Sequence, residues 1–423
     1  MKKNNDTSFL ARVILFFRGV KRKISSLNLF HKIGERQRVL SSYTGKEGSE
    51  ESRVSYALGI AKVVSAVFLA LLLVLTLIFG SGVISYEKVY YMFKDISYIK
   101  SFDEGMPESL SYSRPVQNQV FEDYKNGLLV ASDSEIKIFT STGRVTLTAG
   151  TEMVNPRVSV SNGNVLIYDQ GRKTFSIYNS FVKLYSERTE YPIAIADMAE
   201  SGEFLIVTSS AKYSSVVKIY GGDFEQQSEY SKNDRIISAS ISDNGKYAAI
   251  LSLNASDGVS HVTLNVLDCK KGDIVSSTTL SGSMPYGCEF LTNERIAIFL
   301  DDKACVLSRD GKTVGEYIYP SGVERLDVHN DRFALLLNDG AIVVLDSACS
   351  KVFSASVESG VRDIELAGGY VYLLRSREAV RISTTLGTRT TSQVGVDTSR
   401  LVAFDDGRVI ACSYAAGFYI SFK

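Results

Sequence analysis

Residues 242–252 read SDNGKYAAILS: a polar run, the pair Asn244-Gly245, and then an apolar stretch that begins at Tyr247. An Asn-Gly pair tolerates the positive φ that a tight hairpin turn requires, so this stretch reads as a turn that feeds a strand. Similar units lie on both sides of it. Upstream are Asn126-Gly127 before LLVAS, Asn162-Gly163 before NVLIYD and Ser201-Gly202 before EFLIVTS. Downstream are Asn293-Glu294 before RIAIFLD, Asn330-Asp331 before RFALLLN, Gly368-Gly369 before YVYLLRS and Asp406-Gly407 before RVIACSY. Counted from the second turn residue, the units stand 36, 39, 43, 49, 37, 38 and 38 residues apart.

A further strand follows each turn strand after a short gap, as in EIKIFTS (135–141), TFSIYNS (174–180), VVKIYGG (216–222), TLNVLDC (263–269), AIVVLDS (341–347) and GFYISFK (417–423). With a short strand before each turn and one more at the end, the unit is a four-stranded meander. Repeats of about 40 residues with four strands are the blades of a propeller. The fold expected is therefore all-β: an eight-bladed β-propeller over residues 107–423, with seven blades as the alternative. The last unit stops at Lys423 on its third strand. Ring closure then needs a strand from before the first unit, within PESLSYSRP (107–115), because an open ring would leave unpaired sheet edges.

The turn SDNGKYAAI resembles blades of the TolB, WD-repeat and quinoprotein propellers. The whole arrangement of basic tail, apolar span and divergent blades resembles an uncharacterised family of membrane-anchored propellers of Gram-positive bacteria, a domain of unknown function. That resemblance implies a fold and an anchor, and carries no catalytic residue.

The charges balance overall, 47 Lys+Arg against 47 Asp+Glu, so no global basic field favours nucleic acid as a partner. Residues 1–58 differ, with 12 Lys/Arg against 5 Asp/Glu, a net +7. From Val63 to Ile84 there is no charged residue, and VFLALLLVLTLIF is long enough to cross a ~30 Å hydrocarbon core. Residues 59–84 are expected to be an uncleaved signal anchor, with residues 1–58 as a basic cytoplasmic tail and linker and residues 85–106 as a juxtamembrane connector. The positive-inside rule places the N-terminus in the cytoplasm and the propeller outside. Residues 8–27 space Phe9, Val13, Phe17, Val20, Ile24 and Leu27 as one face of an amphipathic helix beside Arg12, Arg18 and Lys21–Lys23, which suits an anionic inner leaflet or serves as a topology signal alone.

Cys269, Cys288, Cys305, Cys349 and Cys412 show no C-x-x-C and no regular spacing, and read as buried small hydrophobes. The chain holds 3 His and no Trp, and lacks the common nucleophile, zinc, phosphate-loop and dinucleotide motifs. No catalytic residue, cofactor or metal site is expected. Arginine recurs near the start of the innermost strand in four units: Arg157, Arg325, Arg362 and Arg400. These are the candidate anion-binding residues, weighed against internal pairing with Asp327, Asp363, Glu365 and Glu289. The function expected is a membrane-tethered, extracytoplasmic, non-enzymatic scaffold for an envelope protein or polymer. The alternatives are an anion or glycan receptor that uses the arginine mouth, and a lyase- or hydrolase-type propeller enzyme.

Overall fold

The computed structural model describes residues 109–112, 118–256 and 258–422, together with Ser65, Phe68 and Leu69, which are helical. The chain divides into a unit Met1–Ser85 and a unit Tyr86–Lys423. The basic tail, the amphipathic stretch 8–27, the connector 85–106 and the rest of the apolar span lie outside the described residues.

Among the described residues the strands form eight four-stranded antiparallel sheets, which makes the protein an eight-bladed β-propeller. The innermost strands of blades 1 to 8 are Val120–Tyr124, Pro156–Val160, Ile193–Met198, Arg235–Ile241, Pro285–Thr292, Val323–His329, Asp363–Ala367 and Arg400–Ala403. Each touches the innermost strand of the next blade, and the eighth touches the first. The ring is sealed by Ser109–Ser111, which pairs antiparallel with Ala416–Tyr419 and gives the last blade its outer strand.

Why second strands read as apolar runs follows from the packing. A blade lies between two others, so both faces of its middle strands are covered and alternation disappears. Gly127–Ala131, Val165–Asp169 and Phe204–Thr208 are buried at every position. Eight apolar clusters result, each spanning one blade-to-blade interface. Leu205, Val207 and Ile219 of blade 3 meet Ile241 and Ile250 of blade 4, and Leu110, Leu128 and Phe139 meet Phe404 and Ile410 across the seam.

The hairpins refine the sequence reading. Two-residue turns occur at Asn293–Glu294, Asn330–Asp331 and Gly368–Gly369. In blade 1 the turn is Lys125–Asn126, one residue earlier than the Asn-Gly pair, because Tyr124 already pairs with Gly127. Both Lys125 and Asn126 have positive φ, as do Gly368 and Gly369. Elsewhere the connection is longer, and a side chain closes it: Ser242 Oγ accepts from the amide of Tyr247 at 3.0 Å.

All five cysteines are free and buried. Cys288 and Cys305 share a blade and both oppose Ile298 from the strands on either side of it, so they cannot pair. Cys269 and Cys349 sit at turns rather than within strands.

Candidate functional site

Four strands return the chain to the side from which a blade began, so all the innermost strands run the same way. Their first residues gather at one mouth of the channel, and the hairpin turns at the other. Along such a strand alternate side chains enter the channel.

Acidic side chains occupy that shaft: Glu122, Asp197, Glu289, Asp327, Asp363 and Glu365. Three of them are structural. Asp197 Oδ2 accepts from the amide of Ile241 in the next blade at 2.9 Å, Asp327 Oδ2 from that of Leu366 at 2.6 Å, and Asp363 Oδ2 from that of Leu401 at 3.0 Å. Ser159 and Ser240 play the same part for Met198 and Phe290, at 2.9 Å and 3.3 Å. At these five junctions the innermost strand is stapled to its neighbour by a side chain that satisfies a backbone N–H left over by the ladder.

Glu122 and Glu289 make no hydrogen bond among the described residues. Burial pushes Glu122 up to about 7, against the pull of Arg400. Burial, and then the like charges of Asp197, Asp327 and Glu122, push Glu289 up to about 8. The side chain of Glu289 opens to the channel, yet its electrostatic neighbours belong to blades 1, 3 and 6, so it stands inside the ring rather than in bulk water. Burial likewise raises Glu365 and Asp363, and lifts Asp327 to about 6.

The four arginines stand in four different situations. Arg400 faces Asp363 and Glu365, both at 3.6 Å, which is the internal pairing weighed against anion binding. Arg362 Nη2 donates to the carbonyls of Thr398, Arg375 and Ser376 at 2.9, 3.2 and 3.4 Å, and so clips two loops together. Arg157 Nε donates to Gln170 Oε1 at 3.1 Å in blade 2. Arg325 is exposed and has no hydrogen bond or ion pair among the described residues.

Arg325, Arg362 and Arg400 border one open hollow of ≈ 350 Å³, with Asp327, Asp363 and Ser399. Arg157 is not part of it. A second hollow of ≈ 270 Å³ adjoins it between blades 5 and 6, walled by Tyr286, Phe299, Tyr319, Val323, Glu324 and Leu335. Arg325 and Leu326 belong to both. Tyr286 is 59% exposed, and Met284 and Ile318 nearby are 48% and 73% exposed. The hydroxyl of Tyr319 and Nε of Arg400 are buried donors without acceptors among the described residues.

Sequence reasoning missed Glu122 and Asp197, although a signal was present: like Glu289, each lies five residues before the second turn residue of its unit. The apolar hollow had no such signal, since its walls come from two units.

A comparison with curated proteins finds no sequence match. Several solved structures share the fold. BamB from Moraxella catarrhalis is similar at 11% identity and a TM-score of 0.52, over 75% of this chain and 99% of that one. Saccharomyces cerevisiae Sqt1 gives 12% and 0.53, over 75% and 100%. The computationally designed Ika8 protein gives 13% and 0.52, over 74% and 100%. Likeness at this level of identity shows the propeller fold. Residues 104–408 match a family of unknown function, DUF5711, and the chain belongs to it.

Proposed function

We propose that this propeller is a non-enzymatic interaction module, tethered by residues 59–84 to the cell membrane and held on its outer side, where it binds an envelope protein. The observation that carries the reading is the mouth of the channel. Asp197, Asp327 and Asp363 are engaged in stapling blades together, Arg362 and Arg400 are bound to the protein itself, and the mouth offers a partner an exposed surface of Arg325, Tyr286, Met284 and Ile318. A rigid rim with exposed aromatic and arginine side chains is the composition that protein partners select. The charge-free span after a +7 segment supports the tether and its orientation.

Two measurements test this. Protease added to intact protoplasts should degrade the propeller and spare a tag at residue 5 until lysis; protection of the propeller would reverse the topology. Crosslinking of the full chain in membranes should yield a stoichiometric protein partner, and its absence would sink the scaffold reading.

Arg325 also favours a second reading, a receptor for an anionic envelope polymer. Calorimetry with teichoic acid decides it: binding lost in Arg325→Ala supports the receptor, and no heat with the wild type ends it.

A further inference from the structure

The two adjoining hollows are complementary to one chemical object. The first offers a guanidinium at its rim, and just inside it a buried Nε that lacks an acceptor. The second is mainly apolar, with Glu324 among its lining residues and the unpartnered hydroxyl of Tyr319 in its wall. Unfilled donors call for an acceptor, and a cation beside them calls for a negative one. Asp327 and Asp363 border the first hollow itself, and Glu365 and Glu122 lie in the shaft, so a negative group is repelled from the interior and stops at the exposed Arg325. Because Arg325 and Leu326 line both hollows, the carboxylate and the apolar group must lie within one residue of each other.

We infer that the mouth captures the C-terminal residue of a partner polypeptide, with its α-carboxylate on Arg325 and a large apolar side chain in the hollow between blades 5 and 6. This rests on the interaction-module reading and names the partner's chemistry. A chain terminus is favoured over an internal acidic residue by strand geometry. In an extended peptide neighbouring side chains point to opposite faces, so an acid and the apolar residue beside it cannot both enter. A terminal residue carries both groups on one Cα. Capture of a terminal carboxylate by fixed donors is an established way of reading peptides.

The test uses the full-length protein in detergent and a labelled peptide, Gly-Ser-Gly-Ser-Gly-Phe, in three forms: free acid, C-terminal amide, and free acid with Gly in place of Phe. Fluorescence anisotropy should show binding of the first form, with both others weaker by at least about tenfold, the scale of one charge-assisted contact or one buried aromatic ring. Arg325→Ala should abolish the preference for acid over amide and leave the preference for Phe. Tyr286→Ala should do the reverse, and circular dichroism should show both variants folded. Equal binding of acid and amide overturns the inference, as does failure of the wild type to bind the free acid. If a crosslinked membrane partner persists undiminished in Arg325→Ala, the terminus is not the recognised element while the interaction module stands. If no partner appears for the wild type, it is the underlying reading that fails.

Discussion

Arg408 in the eighth blade donates through Nη2 to the carbonyl of Asn126 in the first, at 2.9 Å. Its Nη1 reaches the carbonyl of Ser141 at 2.7 Å, and its guanidinium stacks 4.9 Å from the centre of the Phe404 ring. One side chain therefore bonds two loops that lie more than 260 residues away along the chain. Hydrogen bonds to a charged donor contribute about 1.5–3 kcal/mol each, less where water can substitute. Arg408→Ala should lower stability by about 2–4 kcal/mol, read as a reduced urea midpoint at unchanged slope. Lysine at this position should recover less than half of that, because a point charge cannot serve two carbonyls in the fork geometry. An unchanged midpoint would remove Arg408 from the seam.

The seam's other element is the strand Ser109–Ser111, whose Leu110 is fully buried against blades 1 and 8. Leu110→Ala should cost about 2–5 kcal/mol, the range for a truncated core leucine. A chain that starts at residue 118 should melt lower, or aggregate, relative to one that starts at residue 90, because Ala416–Tyr419 becomes an open edge. Equal melting of the two would mean that the ring holds without its closing strand.

How much of this was legible in the sequence depends on which side chains the repeat constrains. The blades were legible because each hairpin demands turn residues at its tip and each middle strand is covered on both faces. The borrowed strand was legible from the missing partner of residues 417–423. Arg400 was legible as half of an ion pair, since Asp363 and Glu365 lie on the innermost strand of the neighbouring unit. The position of the Asn126-Gly127 turn was not, because Gly127 is needed for space rather than for turning. Arg362 and Arg157 were not either: their acceptors lie in loops whose paths no periodicity fixes.

Gly127 supplies a direct check of that last distinction. A Cβ there would collide with the carbonyl oxygen of Phe139 and lie 2.8 Å from the carbonyl carbon of Thr140, both backbone atoms. Gly163, the matching residue of the next unit, has nothing within 4 Å of the same position. Gly127→Ala should destabilise by about 1–3 kcal/mol through overpacking. Gly163→Ala should fall within about 0.5 kcal/mol of the wild type. Thermal or urea melts of the pair measure the contrast, and equal effects would show that the close approach is not what selects glycine.

The acidic shaft makes stability depend on pH in a direction opposite to the usual carboxylate. An unfolded glutamate titrates near ~4.3, whereas Glu122 is pushed up to about 7 and Glu289 up to about 8. The folded state thus holds these protons more tightly than the unfolded chain does. Their contribution is fully present below the unfolded value and is lost as pH rises through 7 to 8. Arg400, the cation among them, stays charged throughout and limits the repulsion without removing it. Glu289→Gln fixes the neutral form. Its melting temperature should exceed that of the wild type by more near pH 8.5 than near pH 5, and a combined Glu122→Gln change should widen the gap. Melts of wild type and variants at the two pH values are the measurement. A substitution that costs the same at both pH values would show that Glu289 is already ionised at pH 5, with the ring's stability indifferent to its charge.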